Sequence, residues 1–146
     1  MDESRQPAFW NAGRLARQAP YAFVTAFAFA RLITLITMPL AGLRGYGDFI
    51  NYFEVSRLPG LPFIHYWVEY PPVFPYLAEV VQCISGGREH VFSYLLIFVL
   101  SLVDAGSLYL FTRLASRWFS PEKQLLRAGA YLLVLVSLAY GWWYLD

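Results

Sequence analysis

His90-Val91-Phe92-Ser93-Tyr94-Leu95-Leu96-Ile97-Phe98-Val99-Leu100-Ser101-Leu102-Val103-Asp104-Ala105-Gly106-Ser107-Leu108-Tyr109-Leu110-Phe111-Thr112 carries one acid and no lysine or arginine. The run exceeds the about 20 apolar residues that cross a bilayer as a helix. With Arg113 to Trp118 it gives a span at His90–Trp118. Two more segments, Tyr21–Leu43 and Leu125–Trp143, have the same character. The chain has 146 residues, of which 58% are hydrophobic and only 14% charged. Long apolar runs in so little charge predict an all-α, polytopic membrane protein forming one membrane domain over residues 1–146.

Composition also excludes. The net charge is +1, and the basic residues form no dense cluster, so nucleic acid is not an expected partner. Cys83 is the only cysteine, which rules out a disulfide framework or a cysteine-based metal site within one chain. His65 and His90 lie far apart with no second-ligand spacing, so neither suggests zinc.

A fourth apolar stretch, Val73–Ile84, is short for a span. It carries Glu79 and Gln82 three residues apart, on one helical face. Pro71, Pro72 and Pro75 stand where a helix begins and tolerates proline, and Ser85-Gly86-Gly87 stops it. It reads as a re-entrant or interfacial helix over residues 72–84.

Orientation follows from the basic residues. Arg5, Arg14 and Arg17 precede the first span, and Arg113, Arg117, Lys123 and Arg127 surround the loop at 119–124. Both regions are then cytoplasmic, as is the amino terminus over residues 1–20, and residues 44–89 are outside. The outer segment has an acidic excess, with Asp48, Glu54, Glu69, Glu79 and Glu89 against Arg44, Arg57 and Arg88. The alternative is a chain in which Val73–Ile84 also crosses, giving four spans and placing Arg113 to Arg127 outside. The first span reads as a signal-anchor of a plasma-membrane, multi-pass protein. The sequence stops at Gly141-Trp142-Trp143-Tyr144-Leu145-Asp146, where the third span should emerge, and reads as an interrupted protein as much as a finished one.

Charges inside spans are costly and usually face a partner or a cavity. Arg31 and Asp104 fall at similar depth on antiparallel helices, which predicts an ion pair joining them. The competing reading has Arg31 snorkelling to the cytoplasmic side and Asp104 protonated or facing water.

The outer loop concentrates chemistry. Asp48 follows Gly45-Tyr46-Gly47, and Asp48, Asn51 and Tyr52 recur at helical spacing. A carboxylate there can act as a general base or a metal ligand. It can equally be the N-cap of an interfacial helix from Phe49 to Ser56. Glu69 sits between aromatic residues before Pro71-Pro72, which favours an extended, rigid backbone at Tyr70. Acids and rings on rigid backbone suit a sugar, and they equally suit an interface belt of Trp and Tyr. Arg44, Arg57, His65 and Arg88 are outer cation candidates for a phosphate, or solvated headgroup contacts.

Gly47-Asp48-x-x-x-Tyr52, then Glu69-Tyr70-Pro71-Pro72-x-x-Pro75-Tyr76, a span with a central Asp104, and a final Gly-Trp-Trp-x-x-Asp146 together resemble the amino-terminal part of GT-C type glycosyltransferases. The likeness is to family 87 and mannosyltransferase-like bacterial members, over roughly residues 20 to 146. It implies a sugar, mannose among the candidates, transferred from a polyprenyl-phosphate donor to an extracytoplasmic hydroxyl. By that resemblance Asp48 is the catalytic base, and Tyr52, Glu69, Tyr70, Arg57, Arg88 and Asp146 bind substrate. The partners implied are membrane lipid, the lipid-linked sugar and the carboxy-terminal part of a longer enzyme. Gly47 and Phe49 flank Asp48, so no paired acid supports a divalent metal, and no cofactor is expected. Family members are several times longer, so the chain alone could be an inactive piece or half of a split enzyme. The competing class is a non-catalytic assembly or scaffold protein of envelope polysaccharide synthesis.

Overall fold

The structure, a computed structural model, describes residues 12–43 and 48–137, with backbone alone at position 48. The described residues are helical, with no strand beyond a single bridge between Pro62 and Tyr66. Among the described residues six helices follow one another: α1 (Ala12–Thr37), α2 (Leu40–Leu43), α3 (Asp48–Val55), α4 (Val73–Ser85), α5 (Glu89–Trp118) and α6 (Pro121–Ser137).

Two of these, α1 with 26 residues and α5 with 30, are long and apolar enough to cross a membrane. At 1.5 Å per residue they measure about 39 and 45 Å, against a hydrocarbon core of about 30 Å. Only 22% of the most apolar part of α1 and 33% of that of α5 is buried within the chain. A core helix of a water-soluble protein would bury most of such a stretch. Phe29, Leu32, Ile33 and Ile36 on α1 are exposed, as are Phe98, Leu102, Val103 and Leu110 on α5.

The first helix departs from its expected bounds. Its described part starts at Ala12, ahead of the span expected from Tyr21, because Arg14 to Ala19 is a good helix-forming stretch whatever its hydropathy. It ends at Thr37 rather than Leu43. Pro39 disfavours helical backbone at Met38 and starts the separate turn α2, whose Gly42 and Leu43 amides donate to the Pro39 carbonyl. The expected loop at 119–124 is shorter, since Pro121 opens α6 and Gln124 is a buried residue inside it. The described part of α6 has 17 residues, so the expected third span at Leu125–Trp143 extends beyond the described residues.

The chain divides into two compact units. One contains the described residues of Met1–Arg31 with Asp104–Ser137. Pro20 lies inside α1 and has no N–H, so it cannot donate to the carbonyl of Ala16 four residues earlier. The side chain of Gln124 takes that place: its Nε2 donates to Ala16 O at 3.1 Å and to Thr112 O at 3.2 Å. One buried amide thus ties α1, α5 and α6 together. Arg31 Nη2 lies 3.6 Å from Asp104 Oδ2 and donates to Leu135 O at 3.0 Å. Its guanidinium also stands over the Phe27 ring, 5.0 Å from the centroid.

The other unit contains the described residues of Leu32–Val103. Its core joins Phe49, Tyr52 and Phe53 of α3 to Phe74, Ala78 and Val81 of α4 and to Phe92, Leu96 and Ile97 of α5. Each set recurs at helical spacing and forms one apolar stripe. Helix α4 ends as glycines dictate: Gly86 adopts φ 62 and its N–H bonds to Cys83 O.

Candidate functional site

Helix α3 is amphipathic over only two turns. Phe49, Tyr52 and Phe53 turn inward, while Asn51 and Glu54 stay exposed. Downstream, the chain from Trp67 to Tyr70 alternates. Trp67 is 81% exposed, Val68 is buried, Glu69 is exposed and Tyr70 is half-buried. That period of two belongs to extended backbone and turns Glu69 away from the core.

Tyr70 is held by rings. Its centroid lies 4.8 Å from that of Tyr52, edge to face, and 5.7 Å from that of Phe74. Tyr52 and Phe74 approach to 4.5 Å. Edge-to-face aromatic pairs are worth about 0.5–1.5 kcal/mol each beyond their burial. This triad fixes Tyr70, and with it the neighbouring Glu69.

Between the two segments lies an open pocket of about 400 Å³, lined by Asn51, Glu54, Val55, Trp67, Val68, Glu69 and Tyr70. It offers two carboxylates and an amide for hydroxyl groups, with an indole and a phenol ring for an apolar face.

The expected site residues divide accordingly. Glu69 and Tyr70 line the pocket. Tyr52 does not; only 2% of it is exposed, and it is a core residue that supports Tyr70 from behind. The helix explains the split, since positions 51 and 52 point about 100° apart. Arg57 reaches the rim: its Nη1 is 3.8 Å from Glu54 Oε1, and its guanidinium lies 5.4 Å from the Phe53 centroid. Both partners of that ion pair are more than half exposed, so it contributes little to stability. Arg88 sits between α4 and α5, away from the pocket lining. Asp48 begins α3 one turn before Asn51, and its side chain lies outside the described residues, as do Arg44 and Asp146. Among the described residues no group of three or more His, Cys, Asp or Glu could hold a metal ion.

Asn51 and Glu54 enter the pocket without having been singled out as binding residues. Their spacing of three on the polar face of a short helix was the available signal.

Below α3 the loop from Leu58 to Trp67 is fastened to α4. Tyr66 Oη donates to Glu79 Oε1 at 3.1 Å, and Tyr76 Oη donates to Pro62 O at 3.3 Å. Desolvation first, then the bond to Glu79 and its negative charge, raise the Tyr66 phenol above its ordinary value. The loop is internally closed as well: Leu61 N donates to His65 Nδ1 at 2.9 Å and Phe63 N donates to Tyr66 O at 2.8 Å. His65 is thereby a structural acceptor.

Neither a family model, nor a curated protein, nor a solved structure matches this chain.

Proposed function

We propose that this chain is a multi-pass membrane protein whose pocket at Asn51, Glu54, Glu69 and Tyr70 holds a sugar. We further propose that it acts as a GT-C-like glycosyltransferase, alone or as the amino-terminal part of a longer enzyme. The donor is a sugar, mannose by the resemblance, on a polyprenyl phosphate. The pocket carries this reading: carboxylates, an amide and two aromatic faces around about 400 Å³ match a ring with a hydroxyl edge and an apolar face. The long helices α1 and α5, apolar and mostly exposed, support a membrane setting.

In this reading the amino terminus is cytoplasmic in the plasma membrane and the pocket faces outside, by the distribution of arginines. Helix α4 lies at the interface, and α6 is the start of a third span. Asp48 takes the proton of the acceptor hydroxyl as its oxygen attacks the anomeric carbon. The bond to the lipid phosphate breaks as the glycosidic bond forms, and the phosphate leaves with its electron pair. Arg57, which pairs with the pocket residue Glu54, is the cation proposed to meet that phosphate. Glu69 and Tyr70 orient the sugar.

The test is transfer of labelled sugar from polyprenyl-phosphate donor in reconstituted membranes. Asp48→Asn should lower turnover about a hundredfold or more, and Glu69→Gln should chiefly raise KM. Equal transfer by wild type and Asp48→Asn would remove the base.

One observation favours a second reading, a non-catalytic partner in envelope polysaccharide assembly. Among the described residues that line the pocket, none is cationic. That protein would bind the lipid-linked sugar, lose binding on Glu69→Gln, and transfer nothing.

A further inference from the structure

A second cavity lies in the unit that contains Arg31 and Asp104, and its chemistry is opposite in sign. It measures about 200 Å³, is partly open to the outside, and is lined by the first turns of α1, the last turns of α5 and the first turn of α6. Arg17 and Arg113 face it from two different helices, joined by Ser116 and Gln124. Among the described residues that line it, none is acidic.

The polar groups around the guanidiniums have specific partners. Arg17 Nε donates to Gly13 O at 3.4 Å, a long bond within its own helix. Ser116 Oγ donates to Arg113 O at 2.6 Å. Gln124 Nε2 is committed to Ala16 O and Thr112 O. Neither Arg17 nor Arg113 forms an ion pair among the described residues, whereas Arg127 nearby in sequence is stacked on Phe119 at 3.7 Å. Arg17 and Arg113 are both exposed, and two guanidiniums lining one cavity favour an anion between them. Their planar forks match a phosphate better than a halide or a single carboxylate. Helix α6 begins at the same rim, so its amino-terminal dipole acts in the same sense.

The position selects the source of the phosphate. Arg17 and Arg113 flank the apolar runs of α1 and α5, where a headgroup layer would meet helices of this length. Pro20 lines the cavity, and Tyr21, Leu110 and Leu114 on the same helices are exposed. An acyl chain can follow that surface while its phosphate enters. At about 30 Å³ per water, the cavity has room for a phosphate and part of its ester substituent.

We infer that Arg17 and Arg113 form a binding site for the phosphate headgroup of an anionic lipid, separate from the Glu54–Glu69 pocket.

The test uses the full chain in nanodiscs of phosphatidylcholine with or without phosphatidic acid, with retained lipid read by native mass spectrometry. Wild type should hold phosphatidic acid selectively. Arg17→Gln with Arg113→Gln should weaken it about tenfold per arginine. Arg117→Gln with Lys123→Gln removes the same charge outside the cavity and should weaken it at most two- to threefold. Equal loss in the two double variants, or no loss in either, would overturn the site. Inorganic phosphate is the second arm. Displacement of the lipid by millimolar phosphate would overturn the lipid assignment in favour of a free phosphate; retention supports it. If the first double variant fails to keep its helix content by circular dichroism, Arg113→Gln alone carries the comparison, because that side chain is exposed.

Discussion

The ring of His65 occupies the space that a side chain at Gly60 would need. A Cβ built on Gly60 would lie 2.7 Å from both Cβ and Cγ of His65, and Gly60 adopts φ +100. The same ring accepts the Leu61 amide, so the close approach and the hydrogen bond are one arrangement.

Gly60→Ala is therefore expected to be more damaging than Gly86→Ala. Gly86 also has positive φ, at 62, but a Cβ there meets nothing within 4 Å. Backbone strain alone costs about 1–2 kcal/mol. At Gly60 the displaced imidazole adds the loss of the Leu61 bond, another roughly 1 kcal/mol. Amide hydrogen exchange should show the Gly60 variant losing protection across residues 61–66, while the Gly86 variant loses it only at the end of α4.

Gln124→Leu should destabilise the unit by about 1–3 kcal/mol despite similar volume. The carbonyl of Ala16 has no helical donor opposite Pro20, and without the amide it is a buried unsatisfied acceptor. Adding Pro20→Ala supplies a backbone N–H and should recover much of the loss. A double-mutant cycle of denaturation in detergent reads this directly; strict additivity would show that the two positions are not linked.

Asp104→Ala should cost about 3 kcal/mol or more, because a buried guanidinium loses its counter-charge. Arg31→Met with Asp104→Leu should return close to wild-type stability. A charge swap should not, since aspartate at position 31 would face the carbonyl of Leu135, which now accepts from Arg31. Thermal unfolding of the three variants beside wild type distinguishes these outcomes.

The Tyr66–Glu79 bond makes an alkaline prediction. The phenol is raised in the folded state, so its contribution is fully present below the unfolded value of about 10 and is lost as pH rises through the higher folded value. Absorbance titration should show a late-ionising phenol that disappears in Tyr66→Phe. Glu79→Gln should shift that phenol back down.

Much of the helical framework could be read in the sequence. Helices cover Glu89–Trp118, where a span is expected at His90–Trp118, and Val73–Ser85, where an interfacial or re-entrant helix is expected at 72–84. Both are marked by local chemistry, an uninterrupted apolar run in one case and proline-to-glycine punctuation in the other. The start of α1 was not visible to hydropathy, because Arg14 and Arg17 look like a flank while their backbone is helical. Sequence alone places Gln124 at the end of the loop at 119–124. Its importance depends on Pro20, more than a hundred residues away, and only packing brings the two together. At the pocket, Glu69 and Tyr70 were accessible through their prolines. Tyr52 is buried in the core, which spacing alone does not reveal, because helical spacing says which residues are neighbours, not which face turns inward.

Arg31 also has a history during synthesis. Its carbonyl partner Leu135 is 104 residues downstream. At roughly 5–20 residues per second, that acceptor emerges some 5–20 s after the arginine. In the proposed membrane setting, α1 carries its charge without a carboxylate until Asp104, 73 residues downstream, emerges, which disfavours its settling as an independent helix. It must wait beside the insertion machinery or keep its guanidinium hydrated until α5 and α6 arrive. A nascent chain arrested before Asp104 should thus be extractable from the membrane by alkaline carbonate, and one arrested after Ser137 should not.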